Sequence, residues 1–469
     1  MRTIALLIAL LILVFFGHDI IFLNFANISF HWSDFLYYTI AAGVIYVILM
    51  LVGRSLNDNF DNCVNNFLQG KSDELIVERG LLRVYGLLLF TLLPFLLYLF
   101  ALGLFAAVVF GYYGVIGLLY LPRIPVAIPF GLAIVVFGTG ISVLIGIYYL
   151  LFPPKIKPFG LALNQKEEKR LWRLTQDIAK KIEIKPINKI IITPEPGIGV
   201  YLEGNLFSKI IVGGTRVLVI GLPSLHKLSI DEFKAILAHE YGHFSNKDTQ
   251  WALFTYAMGN SITNTLRYMP GPSYNENNGG GVVSGISSLN PAYWLLFLYV
   301  NLYLKITKAF SRMGEVKADI RAMQMYGGKV FRNGLHKVSS NDTIFSEIIQ
   351  PKYIAELMNK GKTTSNISKY FELIISDTDK KTIDLINKEM LETNQSHGIY
   401  DSHPALKTRI DYSEKFGNTE ENEKEFVGKL FDNWDKINEK VTEIYNLSLI
   451  AYLQTLQQQS YAGEETNKE

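Results

Sequence analysis

The chain has 469 residues, of which 49% are hydrophobic and only 19% are charged, against about a quarter charged in a typical soluble protein. Its net charge of +2 gives no electrostatic basis for binding nucleic acid, and its single cysteine, Cys63, excludes an intramolecular disulfide. Residues 1–152 are strongly apolar, whereas residues 329–469 are rich in Lys, Glu, Asp and Asn. This split predicts a membrane-embedded N-terminal part, with the lipid bilayer as a partner, and a water-facing C-terminal part.

Four apolar segments near the N-terminus are each close to or above the roughly 20 residues that a membrane-spanning helix needs. They lie at about 3–23, 35–53, 81–121 and 126–152. The first has Arg2 ahead of its apolar core, but no small-residue cleavage site follows, so we interpret it as an uncleaved anchor. The stretch 81–121 is long enough for one helix or for two short ones. The predicted transmembrane domain therefore comprises residues 1–154, with about four helices.

Charges in the connecting segments predict how the chain lies in the membrane. The connection 24–34 has no Lys or Arg. The next connection carries four cations, Arg54, Lys71, Arg79 and Arg83, and Lys155 and Lys157 follow the last span. Basic loops favour the cytoplasmic side, so four spans place the N-terminus and everything after residue 155 in the cytoplasm, at what we predict to be a bacterial plasma membrane. Two helices within 81–121 would instead place the later domain outside.

The pattern after the spans is that of a folded, water-facing domain. Apolar residues share one helical face between 164 and 183, which predicts an amphipathic helix. Short β-prone runs punctuated by Gly and Pro follow and predict a small sheet. These runs are 189–193, 197–204, 209–214 and 216–221.

Two apolar segments, 251–259 and 292–310, are too short to be clear spans, and they are predicted as either core helices or membrane-dipping helices. From residue 328 onward the pattern is mostly helical and polar. Residues 456–469 are polar and lack apolar periodicity, which predicts a disordered tail.

The sequence His239-Glu240-Tyr241-Gly242-His243 lies within a predicted helix. Ser229 followed by Glu232 is a capping box, which marks a helix start just ahead of it. Residues i and i+4 share a helical face about 6 Å apart, so His239 and His243 can aim two imidazoles at one point. A pattern of this length also arises by chance, but here it follows a predicted sheet and lies on a capped helix.

This spacing predicts a catalytic zinc site. Zinc binds neutral imidazole nitrogen, and catalytic zinc sites combine three protein ligands with a water molecule. Glu240 adjoins His239, so its carboxylate can take a proton from that water as it attacks a peptide carbonyl. The candidate third ligand is Glu315, which shares a helical face with Asp319, one turn later. Taken alone, this acidic pair is more typical of a solvated helix face.

The motifs together resemble those of the HtpX-type integral-membrane zinc metallopeptidases, which are relatives of the CAAX-prenyl endopeptidases. The resemblance rests on "LAHEYGHFSNKD", on Arg312, Glu315 and Asp319, and on "DSHPALKTRI" at 401–410. It covers residues from about 165 to 412. It implies that one Zn²⁺ is bound by His239, His243 and Glu315, with Glu240 as the general base.

The same resemblance implies roles for three more residues. Asp319 would hold a histidine ligand from behind. His403 would lie near the active site as a catalytic residue that stabilises the oxyanion of the tetrahedral intermediate, whereas without the resemblance it is a loop histidine beside a proline. Arg409 is either an active-site residue or a structural ion-pair partner. The family's gluzincin-type fold would make "RVLVIG" at 216–221 an edge strand to which substrate backbone adds as a further strand.

The predicted fold is therefore α-rich α+β, with N-terminal transmembrane helices and a gluzincin-type (zincin-like) catalytic domain that has a small sheet and a helical C-terminal region. The predicted divisions are 1–154, a metallopeptidase core at 155–327, a helical part at 328–455 and a tail at 456–469. The predicted function is hydrolysis of peptide bonds in membrane or misfolded proteins. The alternative is a catalytically silent scaffold or receptor, although such proteins commonly lose the base or a ligand. Nothing in the sequence indicates an oligomeric state.

Overall fold

The structure is a computed structural model of the chain. It describes residues 32–72, 74–120, 127–152, 159–205, 208–209, 214–245, 249–269, 290–393, 404–417 and 421–466. The predicted first span at 3–23 and His403 lie outside the described residues.

The described residues divide into two compact units. We call the first the apolar unit, which takes its residues from Met1–Pro154 and Thr255–Ala309, and the second the polar unit, from Lys155–Phe254 and Phe310–Glu469. The apolar unit contains three long helices, α1 (Trp32–Leu68), α2 (Arg79–Leu119) and α3 (Ala127–Leu151).

All three of these helices are long and apolar enough to cross a membrane. Large apolar side chains point outward from them, including Phe130, Phe137 and Leu144, which are 67%, 72% and 69% exposed. A water-facing helix would carry polar groups at such positions. The described counterparts of the predicted spans at 35–53, 81–121 and 126–152 are therefore membrane helices.

The stretch 81–121, which allowed one helix or two, forms the single helix α2 of 41 residues. Pro94 lies inside it without ending it. At about 1.5 Å per residue, α2 is roughly twice as long as the bilayer core is thick, so it extends well beyond one crossing or lies tilted.

The segments that were predicted as core or membrane-dipping helices belong to α6 (Thr249–Tyr268) and α7 (Pro291–Tyr326). From Thr255 to Ala309 they are part of the apolar unit. Tyr299 Oη donates to the carbonyl of Leu92 at 3.0 Å, and Tyr303 Oη donates to the carbonyl of Thr255 at 2.6 Å. The apolar unit is thus larger than the predicted 1–154, because the sequence reading followed chain order and these contacts are non-local.

The polar unit contains a four-stranded mixed sheet. Its strands are β1 (Leu161–Ala162), β2 (Lys189–Thr193), β3 (Ile198–Glu203) and β4 (Thr215–Gly221), in the order β1-β2-β4-β3. β2 pairs with β4 in parallel, while β1–β2 and β3–β4 are antiparallel. The amphipathic helix α4 (Lys169–Ile182) is present as predicted and buries Leu171, Ile178 and Ile182.

The sheet order corrects the predicted edge strand. "RVLVIG" forms β4, which lies between β2 and β3, and the edge beside β4 is β3. The prediction was wrong because it took the last strand before the active-site helix as the edge. β4 is instead the most buried strand, with Val217, Leu218 and Ile220 fully covered, as suits a strand that is paired on both sides.

The remaining helices are those of the polar unit. They are α5 (Ile230–Gly242), α8 (Gly328–Ile344), α9 (Gln350–Lys360), α10 (Ile367–Asp377), α11 (Lys380–Thr393), α12 (Leu406–Ser413) and α13 (Trp434–Thr466). α13 continues through residues 456–466, where a disordered tail was predicted. The difference has a physical reason, since the glutamines there are good helix formers and extend a helix whose first half is anchored by buried residues such as Val441 and Tyr445.

Candidate metal centre

The helix that carries His239 and His243 begins where the capping box predicts. Ser229 Oγ accepts a hydrogen bond from the backbone N–H of Glu232 at 3.2 Å, and Glu232 Oε2 accepts one from the N–H of Ser229 at 2.9 Å. These two bonds satisfy backbone donors that a helix start otherwise leaves unpaired. The predicted start of α5 at Ile230 is confirmed.

A C-terminal segment reinforces this start. Asp231 Oδ2 accepts hydrogen bonds from the backbone N–H groups of Asn422 and Glu423, both at 2.8 Å. The N–H of Ile230 donates to the carbonyl of Glu425 at 2.9 Å. The first turn of α5 is therefore held from outside as well as by its own cap.

Gly242, inside the motif, lets α5 approach α7 closely. A Cβ at Gly242 would lie 2.9 Å from the Cα of Ala318, which is closer than two carbon atoms can pack. Ala318 follows Glu315 by one turn on α7, so this contact sets the distance between the histidines and the carboxylate of Glu315.

The structure brings the three predicted ligands together. Glu315 Oε2 lies 3.5 Å from His239 Nε2, and Glu315 Oε1 lies 3.5 Å from His243 Nε2. One donor atom from each of the three residues lies within 4.8 Å of the others. Two imidazole nitrogens and one carboxylate oxygen are a donor set that fits zinc, and three protein ligands leave one position open for water or substrate.

Glu240 lies between the histidines and the edge strand. Its Oε1 is 4.0 Å from His239 Nε2, and its Oε2 would be 3.9 Å from a Cβ built on Gly199 of β3. The side chain of Glu240 is 19% exposed, so its carboxylate is accessible from outside the ligand cluster.

Asp319 supports His239 from behind. Its Oδ1 lies 2.7 Å from His239 Nδ1, which leaves Nε2 of the same ring facing Glu315. Hydrogen bonding at one ring nitrogen fixes which nitrogen is free for a metal. Burial alone would raise the pKa of Asp319, but the charges of Arg409 and His239 outweigh it and lower that pKa to about 2.

Arg409 and Tyr412, both on α12, complete this network. Arg409 donates through Nε to Asp319 Oδ2 at 2.7 Å and through Nη2 to Asp319 Oδ1 at 2.6 Å. Tyr412 Oη also donates to Asp319 Oδ2. Of the two alternatives for Arg409, the structure therefore supports the ion-pair partner, one residue removed from the ligands.

Sequence reasoning missed Tyr412. The available signal was its position three residues after Arg409 on a predicted helix, which puts both side chains on one face. His403, which the resemblance placed near the active site, lies outside the described residues.

Protonation of the histidines follows their surroundings. Burial would lower the pKa of His239, but Asp319 outweighs it and raises that pKa to about 10. Burial lowers the pKa of His243. A metal ion bound through His239 would compete with the proton on that ring, so its binding would release a proton.

Comparison with known proteins identifies the family that carries this arrangement. Residues 165–415 match Peptidase family M48. The "Protease HtpX homolog" of Archaeoglobus fulgidus is 22% identical over 57% of this chain and 72% of its own length. The "Protease HtpX" of Pseudomonas savastanoi pv. phaseolicola is 26% identical over 32% of this chain and 52% of its own length.

"Protease HtpX homolog 1" of Saccharolobus solfataricus matches over a shorter segment and is 38% identical over 20% of this chain and 27% of its own length. No solved structure matches the chain. The family match covers more than half of the 469 residues, and it spans all the residues of the cluster. The chain therefore belongs to peptidase family M48, as an HtpX-like membrane metallopeptidase.

Proposed function

We propose that this protein is a membrane-anchored, zinc-dependent endopeptidase that cleaves membrane or misfolded proteins. The observation that carries the proposal is the convergence of His239, His243 and Glu315, with Glu240 beside them. The match to Peptidase family M48 supports the same reaction class.

His239, His243 and Glu315 would hold one zinc ion per chain. When bound, zinc lowers the pKa of a coordinated water molecule and polarises a substrate carbonyl. Asp319 keeps His239 in the tautomer that presents Nε2 toward Glu315, and Arg409 keeps Asp319 ionised. Catalytic competence thus depends on a chain of contacts from α12 through α7 to α5.

Glu240 is the proposed general base. Its carboxylate accepts the proton of the attacking water and then delivers it to the amine that leaves when the peptide bond breaks. Because Glu240 lies beside both His239 and Gly199, its carboxylate faces the space between the ligands and β3, where the scissile bond would lie.

The edge strand β3 is the proposed substrate platform. Among the described residues, β3 pairs only with β4, so its other edge offers backbone donors and acceptors to an incoming peptide. Adding a substrate strand there uses main-chain hydrogen bonds, which accept many sequences. This is consistent with a protease of broad specificity.

We also propose that the polar unit faces the cytoplasm. The cations after the second predicted span and before the polar unit support this orientation. The continuity of α2 adds support, since a single helix over 81–119 is the arrangement on which the four-span reading depends.

The alternative is a silent scaffold that keeps the fold without turnover. Against it stands the retention of both histidines, Glu315 and Glu240 in one cluster. Metal analysis and a protease assay on the same detergent-purified protein separate the two proposals.

The decisive variant is Glu240→Gln. It should retain zinc, as measured by mass spectrometry, and lose casein cleavage by at least about 10²–10⁴-fold, the usual contribution of a positioned base. A matched control is Glu347→Gln, an exposed glutamate of the polar unit, which should cleave normally. Persistent cleavage by Glu240→Gln would refute the base, and zinc-free wild-type protein would refute the metal site.

A further inference from the structure

Asp342, near the end of α8, is a carboxylate of the polar unit that the proposed chemistry does not use. Its Oδ1 accepts a hydrogen bond of 2.5 Å from the hydroxyl of Ser224, which is fully buried. Ser224 Oγ in turn accepts the backbone N–H of Gly197 at 2.6 Å. The two side chains thus connect α8 to the residue immediately before the edge strand β3.

The peptide of Gly197 is fixed from both sides. Its carbonyl accepts the N–H of Gly221 at 2.7 Å, while its N–H is held by Ser224. Gly197 has φ of +116°, a conformation that other residues rarely adopt. A Cβ at Gly221 would lie 2.9 Å from both N and O of Gly197, so the close approach requires that Gly221 has no side chain.

Asn341, the residue before Asp342, bonds to the same segment that contains Ser224. Asn341 Nδ2 donates to the carbonyl of His226 at 2.8 Å and to that of Ser224 at 3.3 Å. The end of α8 therefore holds the segment between β4 and α5 by its backbone, and through Ser224 it also holds the entry into β3.

This contact lies close to the proposed chemistry. Gly199, two residues after Gly197, is the position whose Cβ would be 3.9 Å from Glu240 Oε2. A displacement of about 1 Å between reacting groups is enough to impair catalysis strongly. The start of β3 must therefore be held firmly if it is to present a peptide to Glu240.

Asp342 has no ion-pair partner in the described part of the chain. Burial raises the pKa of Asp342 to about 6, although the hydrogen bonds from Ser224 and the N–H of Gly197 oppose the shift. A partly buried carboxylate without a cation costs stability in its charged form, so we explain the position of Asp342 by the backbone that it orients.

We propose that Asp342 and Ser224 form a clamp that positions the edge strand β3 for substrate binding, with Asp342 as a positioning residue. The proposal rests on the proposed function, in which substrate backbone pairs with β3. The clamp acts on peptide binding and leaves the metal ligands and the base in place.

The test uses full-length, zinc-loaded protein in detergent and an internally quenched peptide. Ser224→Ala and Asp342→Ala should each raise KM about three- to tenfold, the effect of one lost hydrogen bond, with kcat and zinc content close to wild type. Asp342→Asn keeps an acceptor oxygen for the Ser224 hydroxyl and should restore the wild-type KM. In a Glu240→Gln background, which binds without cutting, the same variants should raise the Kd of the peptide by the same factor.

Thr343→Ala is the matched control, because the Thr343 hydroxyl bonds, among the residues that the structure describes, only to the Ser339 carbonyl of its own helix, at 2.9 Å. It should leave KM and Kd unchanged. If Asp342→Ala does not fold, Ser224→Ala carries the test, since it removes a single hydroxyl. Unchanged Kd in Ser224→Ala, or a fall in kcat alone, would overturn the clamp while leaving the protease intact; absence of cleavage by wild-type protein would overturn the proposed function and the clamp together.

Discussion

Asp319 and Asp342 are carboxylates of the same polar unit, the first fully buried and the second partly buried, and their surroundings shift their pKa values in opposite directions. Asp319 is completely buried and is bonded by the guanidinium of Arg409, by Tyr412 and by His239. Within the described ranges, Asp342 is bonded only by neutral donors, the hydroxyl of Ser224 and the backbone of Gly197. Burial raises the pKa of Asp342 to about 6, whereas the neighbouring cations bring that of Asp319 down to about 2.

The difference teaches that burial alone does not decide what a carboxylate does. With a cation beside it, the carboxylate keeps its charge and can orient a metal ligand. Without one, the carboxylate is costly in its charged form and serves as a hydrogen-bond acceptor that fixes local geometry. We therefore expect removal of the cation beside Asp319 to lower the free energy of unfolding, and removal of the charge of Asp342 to raise it.

The largest expected effect is that of Arg409→Leu. Removing one partner of a buried ion pair typically costs about 3–5 kcal/mol, because the remaining charge is left buried and unpaired. We expect the free energy of unfolding to fall by about that amount, and zinc affinity to fall about 10–100-fold as His239 loses its support. Denaturant unfolding in detergent and zinc competition with a chelator measure the two effects.

Arg332→Leu is the control for Arg409→Leu. Arg332 pairs with Glu414 at 3.3 Å, but the side chain of Glu414 is 74% exposed, so its loss should cost at most about 1 kcal/mol. If both arginine variants lost the same stability, Asp319 would not depend on its cation and the contrast with Asp342 would fail.

The sequence predicted the parts of this site that are local. The capping box at Ser229 and the spacing of His239 and His243 depend on residues within one or two helical turns, and α5 forms as expected. The pairing of Glu315 with these histidines depends on two helices packing through Gly242 and Ala318. It could be proposed from the family resemblance, but not from spacing.

Two of the missed features depend on non-local packing. Strand order placed β3 rather than β4 at the edge, and the hydrophobic pattern of a short strand does not say which neighbours it pairs with. Ser224 and Asp342 are 118 residues apart in the chain. Neither residue type nor periodicity marks them as partners, so the clamp became visible only in the folded chain.

Asp342→Asn is expected to change the free energy of unfolding by a smaller amount than Arg409→Leu, and to raise it instead of lowering it. The pKa of Asp342 rises from 3.8 to about 6 on folding, so the stability of the wild-type protein is fully present below pH 3.8 and declines as the pH rises through 6. The variant lacks this decline. It should match wild type near pH 4 and exceed it by up to about 3 kcal/mol at pH 7, in contrast to the loss at Arg409.

Unfolding midpoints of both proteins between pH 4 and pH 8, with a chelator present so that zinc release does not contribute, measure this difference. A constant offset at every pH would mean that Asp342 does not titrate in this range. A variant less stable than wild type at pH 7 would mean that its charge is paired, and the contrast between the two carboxylates would disappear.

The smallest expected effect is that of Tyr412→Phe. It removes one donor to Asp319 Oδ2, but Arg409 Nε still donates to that oxygen at 2.7 Å, so the carboxylate stays charged and bonded. We expect a loss of about 1 kcal/mol in stability and a fall of less than about tenfold in zinc affinity. The double variant Tyr412→Phe with Arg409→Leu tests whether the two residues act together on Asp319, because residues that share one partner have non-additive effects on stability. If the two losses simply added, Tyr412 and Arg409 would act on Asp319 independently, and the support behind His239 would be two separate contacts instead of one network.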